Sequence, residues 1–324
     1  MQVCVVGMDA GGTKTRVCIL DESCRLVGQG VGGPANPNFA PPEVVTASIR
    51  QAAESARASA GPAGQRVVLA AVGGPTAATY YEPILREVFG NPELLAAGEG
   101  PITLAAGSRS EFGGVIVAGT GSMAWGRNRR GEAILVGGWG ALLGDEGSAY
   151  DIAIAALRAA CRCADGRGTP TTLLPRYLSH LGFGEMREII QPIYHGGLDR
   201  RAIAATCPLV FEAARAGDRV AQSILRRAGR ELALGAVTCA RALSMLDDEF
   251  DVVASGGVFR GGDFVLPAVR RHLARYCPGA RLVLPTYEPA IGAALVALRK
   301  LGRQLDDAAY SRLDESVARL AAPG

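Results

Sequence analysis

Two glycine-rich turns in the sequence combine hydroxyl and carboxyl side chains in a pattern that suits phosphate binding. The first, residues 9–15, reads DAGGTKT, and the second, residues 118–122, reads AGTGS. Glycines let backbone N–H groups approach phosphate oxygens closely, and the hydroxyls of Thr13 and Thr120 add further donors. Asp9 ends an apolar run, where its carboxylate could hold Mg²⁺ directly or through water. The pair predicts two halves of a nucleotide site, although either turn alone also fits a plain β-hairpin.

The sequence after the first turn excludes two better-known phosphate loops. Both G-x-x-x-x-G-K-[ST] and G-x-G-x-x-G open into a helix, whereas Thr15–Leu20 is strand-like. A third glycine turn, Ser255–Val258, follows the apolar run Asp251–Ala254. Its flat backbone could lie against an adenine ring, and the alternative is a simple turn from a strand into a helix.

A tryptophan and two carboxylates stand close together in a third glycine-rich region. Residues 137–140 read GGWG, and residues 143–150 read LGDEGSAY. Asp145 and Glu146 precede a helical pattern, where capping and the helix dipole alone would favour them. The flanking glycines and Trp139 also suit the recognition of sugar hydroxyls beside an aromatic surface. We favour a sugar site over simple capping.

The elements that position these residues repeat along the chain. Short apolar runs at 3–8, 16–20 and 25–31 predict a meander of antiparallel strands, and similar runs at 114–118, 122–126 and 132–136 follow about 110 residues later. Each copy precedes segments with helical periodicity, so two similar α/β domains are expected. The predicted helices cover 42–60, 145–163, 219–246, 264–276, 290–301 and 306–320.

Composition narrows the functional classes. A chain of 324 residues with 48% hydrophobic residues is expected to fold throughout, as two domains. Its 34 basic and 31 acidic residues are scattered, so no basic block favours nucleic acid as a partner. Eight cysteines without a C-x-x-C pair predict free thiols in a reducing compartment. Neither a leader nor an apolar run long enough for a membrane is recognisable, and we expect a cytoplasmic protein without membrane contact.

Seven motifs in order resemble one known family, the N-acetylglucosamine kinase branch of the BadF-type ATPases in the sugar kinase, heat-shock chaperone and actin superfamily. The resemblance covers nearly the whole chain. Its motifs are DAGGTKT at 9–15, PANPN at 34–38, AGTGS at 118–122, GGWG at 137–140, LGDEGSAY at 143–150, SGGV at 255–258 and EPAIGAAL at 288–295. They are more specific for the superfamily than for the substrate.

The resemblance implies a fold and a reaction. The fold is two RNase H-like, actin-like ATPase domains facing across a cleft, which we place at 1–111 and 112–302, with a final helix within 303–324 packing back on the first. The reaction is the phosphorylation of an amino sugar at its 6-hydroxyl, with ATP and Mg²⁺ as cofactors and N-acetylglucosamine as the favoured acceptor. Related kinases are often dimers, so a homodimer is left open.

The resemblance also implies site residues. Asp9 matches the metal-associated aspartate. The residues that look like the family's sugar contacts are Asn36, Thr120, Gly138, Trp139, Asp145 and Ala149. The residues that look like its phosphate and adenosine contacts are Gly11, Gly12, Thr13, Lys14, Gly119, Gly121, Ser122, Gly256 and Gly257.

The chain departs from the family at the expected catalytic base. Glu99 stands where the family carries an aspartate that accepts the proton of the sugar hydroxyl. A glutamate keeps this chemistry if the backbone or the sugar shifts by the additional methylene. Pro101 restricts Gly100 and is expected to delay the start of the following helix, which would retract the carboxylate. The alternative is that Glu99 is an exposed loop residue and catalysis is lost or altered.

Three alternatives stay open. The same chemistry could act on glucosamine, N-acetylmuramate or another sugar, because the motifs do not define the pocket around the 2-substituent and the 3-hydroxyl. The related ATPases that activate acyl-CoA dehydratases hold an iron–sulfur cluster with cysteines, and Cys161 and Cys163 are poorly placed for this in a helical run. A sugar or nucleotide sensor that has lost the base is the third alternative.

Overall fold

The computed structural model describes residues 3–37, 40–62, 66–74 and 77–321. Asn38, the last residue of the PANPN motif, and the end of the predicted C-terminal segment, residues 322–324, lie outside the described residues. The described chain divides into two compact units. One contains the residues up to Glu111 together with those from Pro285 onward, and the other contains Phe112–Leu284.

The first unit is built on a five-stranded mixed sheet with strand order β3-β2-β1-β4-β5. Its strands are β1 (Cys4–Ala10), β2 (Thr15–Asp21), β3 (Leu26–Gly32), β4 (Val67–Gly73) and β5 (Glu93–Ala96). The first three form the predicted antiparallel meander, and β4 and β5 extend the sheet in parallel. The helices of this part of the chain are α1 (Pro42–Ala60), α2 (Ala78–Phe89) and α3 (Glu99–Gly107).

The second unit repeats this sheet with the same strand pairing, in the order β10-β9-β6-β7-β8. Its strands are β6 (Gly113–Ala118), β7 (Ser122–Arg127), β8 (Ala133–Gly137), β9 (Phe250–Ser255) and β10 (Ala280–Val283). Its helices are α4 (Ala149–Ala164), α5 (Leu173–Leu181), α6 (Ile190–Tyr194), α7 (Arg200–Ala205), α8 (Cys207–Arg215), α9 (Arg219–Ala242), α10 (Gly257–Arg260) and α11 (Val265–Tyr276). Two related sheets confirm the predicted α/β class and the internal repeat.

The last two helices, α12 (Pro289–Lys300) and α13 (Asp307–Ala321), belong to the first unit. A Cβ atom on Gly7 of β1 would lie only 2.0 Å from the carbonyl oxygen of Ala290, so the glycine lets α12 lie directly on the strand. The structure therefore differs from the predicted boundary after residue 302. Residues 285–302 pack with the first unit, because the small buried residues of α12 fit its sheet.

Two helix starts differ from the sequence predictions. Helix α4 begins at Ala149, because Ser148 caps it by accepting the N–H of Asp151 at 3.1 Å. Helix α3 begins at Glu99, so Pro101 does not delay it. Proline is tolerated there because the first turn of a helix leaves its N–H groups without intrahelical partners.

The cysteines agree with the prediction of free thiols. All eight cysteines are free thiols, and six are buried. Burial raises the pKa of the Cys4 thiol to about 11, which keeps it in the unreactive protonated form. Among the described residues, no helix is long and apolar enough to cross a membrane.

Candidate functional site

The two predicted phosphate turns have the same internal hydrogen bond. In the β1–β2 turn, the amide of Gly11 donates to the carbonyl of Lys14 at 3.1 Å. In the β6–β7 turn, which is one residue shorter, the amide of Gly119 donates to the carbonyl of Gly121 at 2.9 Å. The first glycine of each turn therefore holds the turn closed, and the amides towards its tip are the candidate donors to a phosphate.

The PANPN segment is tied to the first of these turns. The amide of Ala35 donates to the carbonyl of Gly11 at 3.0 Å, and the hydroxyl of Thr15 donates to the carbonyl of Gly33 at 2.8 Å. Asn36 is buried beside these contacts. A predicted sugar-contacting residue and a predicted phosphate turn are thus adjacent within the first unit.

Immediately before each glycine turn, the strand end is in close contact with a glycine from a neighbouring strand's end. Gly256, which follows β9, has a φ of 112°, and a Cβ there would lie 2.3 Å from the carbonyl oxygen of Ala118. Gly74, which follows β4, has a φ of 97°, and its Cβ would lie 2.5 Å from the carbonyl oxygen of Ala10. Only glycine fits either place. The sequence motifs included Gly256 and missed Gly74, although the glycines that end the apolar run 67–72 were a signal for it.

Four charged residues of the first unit influence the carboxyl of Asp9. Burial, followed by the negative charges of Glu99 and Glu288, raises the pKa of the Asp9 carboxyl to about 7, against the opposing effect of Lys14 and Arg16. Arg16 is its cross-strand neighbour on β2. The carboxyl is therefore poised to gain a compensating cation, which is what a metal-associated aspartate requires.

Two glutamates at helix starts face this aspartate. Glu99 is the first residue of α3, after Gly98 in the left-handed region (φ 80°), and Glu288 is the N-cap residue of α12. Glu99 is an exposed residue, as the alternative prediction had it, but it lies at a helix start and not in a loop. The protein atoms around its carboxyl desolvate it and so raise its pKa. The Nε of Arg16 lies 3.4 Å from Oε2 of Glu288. Glu288 belongs to one of the sequence motifs, but its effect on Asp9 was not predicted.

Asp145 is turned inward in the second unit and does not cap a helix. It is 3% exposed and has a φ of 63°, which is unusual for a residue with a side chain. Its Oδ1 accepts the backbone N–H of Ser122 at 3.1 Å, and its Oδ2 forms an ion pair with the guanidinium of Arg200. The capping explanation of this carboxylate therefore fails, because Ser148 is the cap. Sequence reasoning missed Arg200.

The segment after Asp145 is hydrogen-bonded to the second glycine turn. The hydroxyl of Ser122 donates to the carbonyl of Glu146 at 2.8 Å, and the amide of Ala149 donates to the carbonyl of Gly119 at 2.9 Å. The LGDEGSAY motif and the AGTGS motif therefore form one connected structure. Thr120 is half-buried at its surface.

Trp139 and Gly138 lie in the exposed connection between β8 and α4. Trp139 is 73% exposed, and Leu142 and Leu143 of the same connection are also exposed. The aromatic surface predicted for a sugar ring is thus accessible to solvent. Gly257, the other predicted adenosine residue, is exposed at the start of α10.

The residues present suit a magnesium nucleotide better than a metal cage. Within the ranges that the structure describes, no group of three or more His, Cys, Asp or Glu side chains could hold a metal ion. Mg²⁺ commonly binds through one or two carboxylates together with substrate phosphates and water. Asp9 beside the first glycine turn provides one such carboxylate.

Comparison with known proteins identifies the family. The family model for the BadF/BadG/BcrA/BcrD ATPase family matches residues 6–297. An N-acetylmuramic acid/N-acetylglucosamine kinase from Clostridium acetobutylicum is 29% identical over 298 residues, which are 90% of this chain and 97% of that protein. An N-acetyl-D-glucosamine kinase from Dictyostelium discoideum is 31% identical over 200 residues, 61% of this chain and 63% of that protein.

A solved structure extends the likeness to the fold. The structure of a candidate N-acetylglucosamine kinase from Chromobacterium violaceum superposes with a TM-score of 0.71 at 25% identity. The match covers 90% of this chain and 98% of that one.

Proposed function

The chain belongs to the BadF/BadG/BcrA/BcrD ATPase family, and we propose that it is an ATP- and Mg²⁺-dependent kinase that phosphorylates the 6-hydroxyl of an amino sugar, N-acetylglucosamine before others. The names of the relatives from Clostridium acetobutylicum and Dictyostelium discoideum support a sugar acceptor. The eight free thiols support a reducing compartment, and we propose the cytoplasm.

The observation that carries the proposal is the pair of equivalent glycine turns. In each sheet, the central strand ends in a turn closed by the same hydrogen bond. A glycine with positive φ packs against the end of that strand. Backbone amides at such turns bind phosphate oxygens without a side chain in the way. We assign Gly12, Thr13 and Lys14 to one phosphate loop and Thr120 with Gly121 to the other, because the amide and the hydroxyl of Ser122 already donate to Asp145 and Glu146.

We assign the role of general base to Glu99. Its carboxylate would accept the proton of the 6-hydroxyl while the sugar oxygen forms a bond to the γ-phosphorus. The bond from that phosphorus to the bridging oxygen breaks at the same time, and ADP leaves. Because desolvation raises its pKa, the Glu99 carboxylate is a stronger base than an ordinary glutamate.

Asp9 would hold the magnesium ion, which when bound neutralises charge on the phosphates. The raised pKa of Asp9 indicates that the carboxylate gains stability when a cation arrives. Asn36, Asp145 and Ala149 are the proposed sugar contacts. Asp145 is buried and offers two carboxyl oxygens as acceptors, which suits the hydroxyls of a sugar.

A second acceptor, N-acetylmuramate, has a specific observation in its favour. The Clostridium acetobutylicum relative, which this chain covers to 97% of its length, carries both N-acetylmuramic acid and N-acetylglucosamine in its name. The two sugars differ by a lactyl ether on the 3-oxygen. The site assignments above hold for either acceptor.

The test is the sugar-dependent release of ADP from Mg-ATP by the purified protein. The acceptors are N-acetylglucosamine, N-acetylmuramate, glucosamine, glucose and N-acetylmannosamine, and 6-deoxy-N-acetylglucosamine tests the position of transfer. We expect release with N-acetylglucosamine and none with its 6-deoxy analogue. Glu99→Gln should abolish release, whereas Glu93→Gln, which changes an exposed glutamate of the same unit, should not.

Each contrary result removes a defined part of the proposal. Release that does not depend on any sugar would overturn the kinase assignment and favour an ATPase activator. Binding of ATP and sugar without release would favour a sensor. Phosphorylation of the 6-deoxy analogue would refute transfer to the 6-hydroxyl.

A further inference from the structure

Arg200 reaches the candidate sugar site from a part of the second unit that carries none of the sequence motifs. It is the first residue of the short helix α7, whose N-cap Asp199 accepts the amide of Ala202 at 2.7 Å. Its Nη2 pairs with Oδ2 of Asp145. Helix α7, which contains none of the sequence motifs, thus places a guanidinium beside the carboxylate proposed to bind the sugar.

The carboxylate is held from two sides. The backbone N–H of Ser122 binds Oδ1, and Arg200 binds Oδ2, so rotation of the carboxylate plane would break one of the two contacts. The guanidinium of Arg200 also lies 5.9 Å from the ring centre of Tyr150, at the start of α4. One residue of β7 and one of α7 therefore set the direction of the acceptor lone pairs of Asp145.

The ion pair lies directly against the second glycine turn. A Cβ atom on Gly121 would lie 2.8 Å from Oδ2 of Asp145 and 2.9 Å from Nη2 of Arg200. The ion pair therefore packs against the proposed phosphate loop. The absence of a side chain at Gly121 provides the space for it. The side chain of Asp145 is 4% exposed and that of Arg200 is 27% exposed, so Arg200 forms the outer partner.

We propose that Arg200 is a positioning residue for sugar binding: its guanidinium fixes the Asp145 carboxylate in the orientation in which it accepts the hydroxyls of the acceptor sugar. This inference rests on the proposed function, because it needs Asp145 to contact the sugar. A buried carboxylate without its partner is expected to turn, to take up a proton or to draw in water, and each change weakens an acceptor.

The test is steady-state kinetics of the intact protein with Arg200→Ala and Arg200→Lys. For the alanine variant, we expect the KM for the sugar to rise about tenfold or more, with a smaller change in kcat and an unchanged KM for ATP. Millimolar guanidinium ion should restore part of the sugar affinity of Arg200→Ala. Lysine should rescue it only partly, because an ammonium lacks the planar fork of arginine.

Arg227→Ala is the matched control. Arg227 of α9 pairs with Asp151 of α4 at 3.2 Å, and both side chains are more exposed than those of Arg200 and Asp145. Its removal should leave both KM values unchanged. Thermal unfolding of every variant reports whether a kinetic change follows a loss of stability. If Arg200→Ala does not fold, Arg200→Lys replaces it. The affinity of Arg200→Lys for the sugar is then measured by calorimetric titration.

The outcomes separate this inference from the proposed function. An active wild-type enzyme with an unchanged sugar KM in folded Arg200→Ala would overturn the positioning role alone. Equal increases in both KM values that track lost stability, without rescue by guanidinium, would reduce Arg200 to a structural residue and also overturn it. A wild-type protein that neither binds nor phosphorylates any sugar would overturn the proposed function and this inference together.

Discussion

Gly121 is the residue on which Asp145 rests: a Cβ atom there would lie 2.8 Å from the Oδ2 of the aspartate. The family resemblance predicts a phosphate contact for this glycine. In the structure, its lack of a side chain also leaves room for the buried carboxylate of Asp145. Gly121→Ala should therefore displace the carboxylate rather than the turn. We expect the KM for the sugar to rise about tenfold, with a smaller effect on the KM for ATP.

Gly119→Ala is the control for this prediction. A Cβ atom at Gly119 would meet no atom of the structure within 4 Å, so the substitution should not disturb the described contacts. Its methyl group would instead narrow the approach of a phosphate, and we expect the KM for ATP to rise several-fold with the sugar KM unchanged. The same response of both variants to both substrates would contradict a division of labour within the turn.

Asp9 should cost the folded protein stability at neutral pH. Burial, Glu99 and Glu288 raise its pKa to about 7, whereas an aspartate in the unfolded chain titrates near 4. Between these values the folded protein holds a proton that the unfolded chain has released. The free energy of unfolding therefore falls as the pH rises from about 4 to about 7.

Asp9→Asn removes this penalty and should abolish kinase activity. We expect the variant to be more stable than the wild type at pH 8 by up to about 4 kcal/mol, because each unit of pKa difference corresponds to about 1.36 kcal/mol. The two should be equally stable at pH 4, in thermal unfolding without nucleotide or Mg²⁺. Asp307→Asn, which changes an exposed aspartate of the same unit, should not stabilise. A wild-type stability that stays constant across this pH range would contradict the raised pKa.

The elements with a regular local sequence pattern were predicted correctly. The alternation and the glycine punctuation of residues 4–32 define three strands, and the apolar period of 42–60 defines α1 with both ends correct. The helices α5 to α8 were not predicted, because they are short and interrupted by prolines and glycines. Their packing, not their local pattern, stabilises them.

Contacts between distant residues were beyond the sequence patterns. Arg200 is 55 residues from Asp145, and a single arginine after an aspartate has no signature beyond a helix start. Glu288 approaches Asp9 only because α12 returns to β1, which depends on glycine at position 7. The site motifs were therefore visible in the sequence, while the charges that tune them required the tertiary structure.

Asp218 is expected to be a strong determinant of stability in the second unit. As N-cap of α9, it accepts the amides of Val220 and Ala221 through Oδ1, and through Oδ2 it binds Thr171 and the amide and hydroxyl of Thr172. Asp218→Ala should lower the free energy of unfolding by about 3 kcal/mol.

The pH dependence of this loss has a defined sign. Burial acts to raise the pKa of Asp218, but the hydrogen bonds from Ala221, Thr171 and Thr172 prevail and lower it. Its contribution is present above the unfolded pKa near 4 and is lost as the pH falls through the lower folded value. The difference between wild type and variant should shrink in acid. Asp165→Ala, which breaks an exposed ion pair with Arg167, should change stability by less than about 0.5 kcal/mol.

Glu99 offers a direct test of how the chain accommodates a longer base. Its backbone is fixed as the first residue of α3, after a glycine in the left-handed region, so a shorter side chain cannot recover its reach by a local shift. If the longer side chain is already matched to the sugar, Glu99→Asp should lower kcat about tenfold to a hundredfold. Glu99→Gln should lower it further, because general-base catalysis contributes roughly 10² to 10⁴.

The pH profile distinguishes a catalytic loss from a structural one. Desolvation raises the pKa of Glu99, so the acid limb of kcat/KM, in which activity rises as the base loses its proton, should lie above the usual range of a glutamate. The limb should persist in Glu99→Asp and disappear in the residual activity of Glu99→Gln. An aspartate variant more active than the wild type would show that the backbone has not adapted to glutamate, and that the shorter base is still the one this site fits.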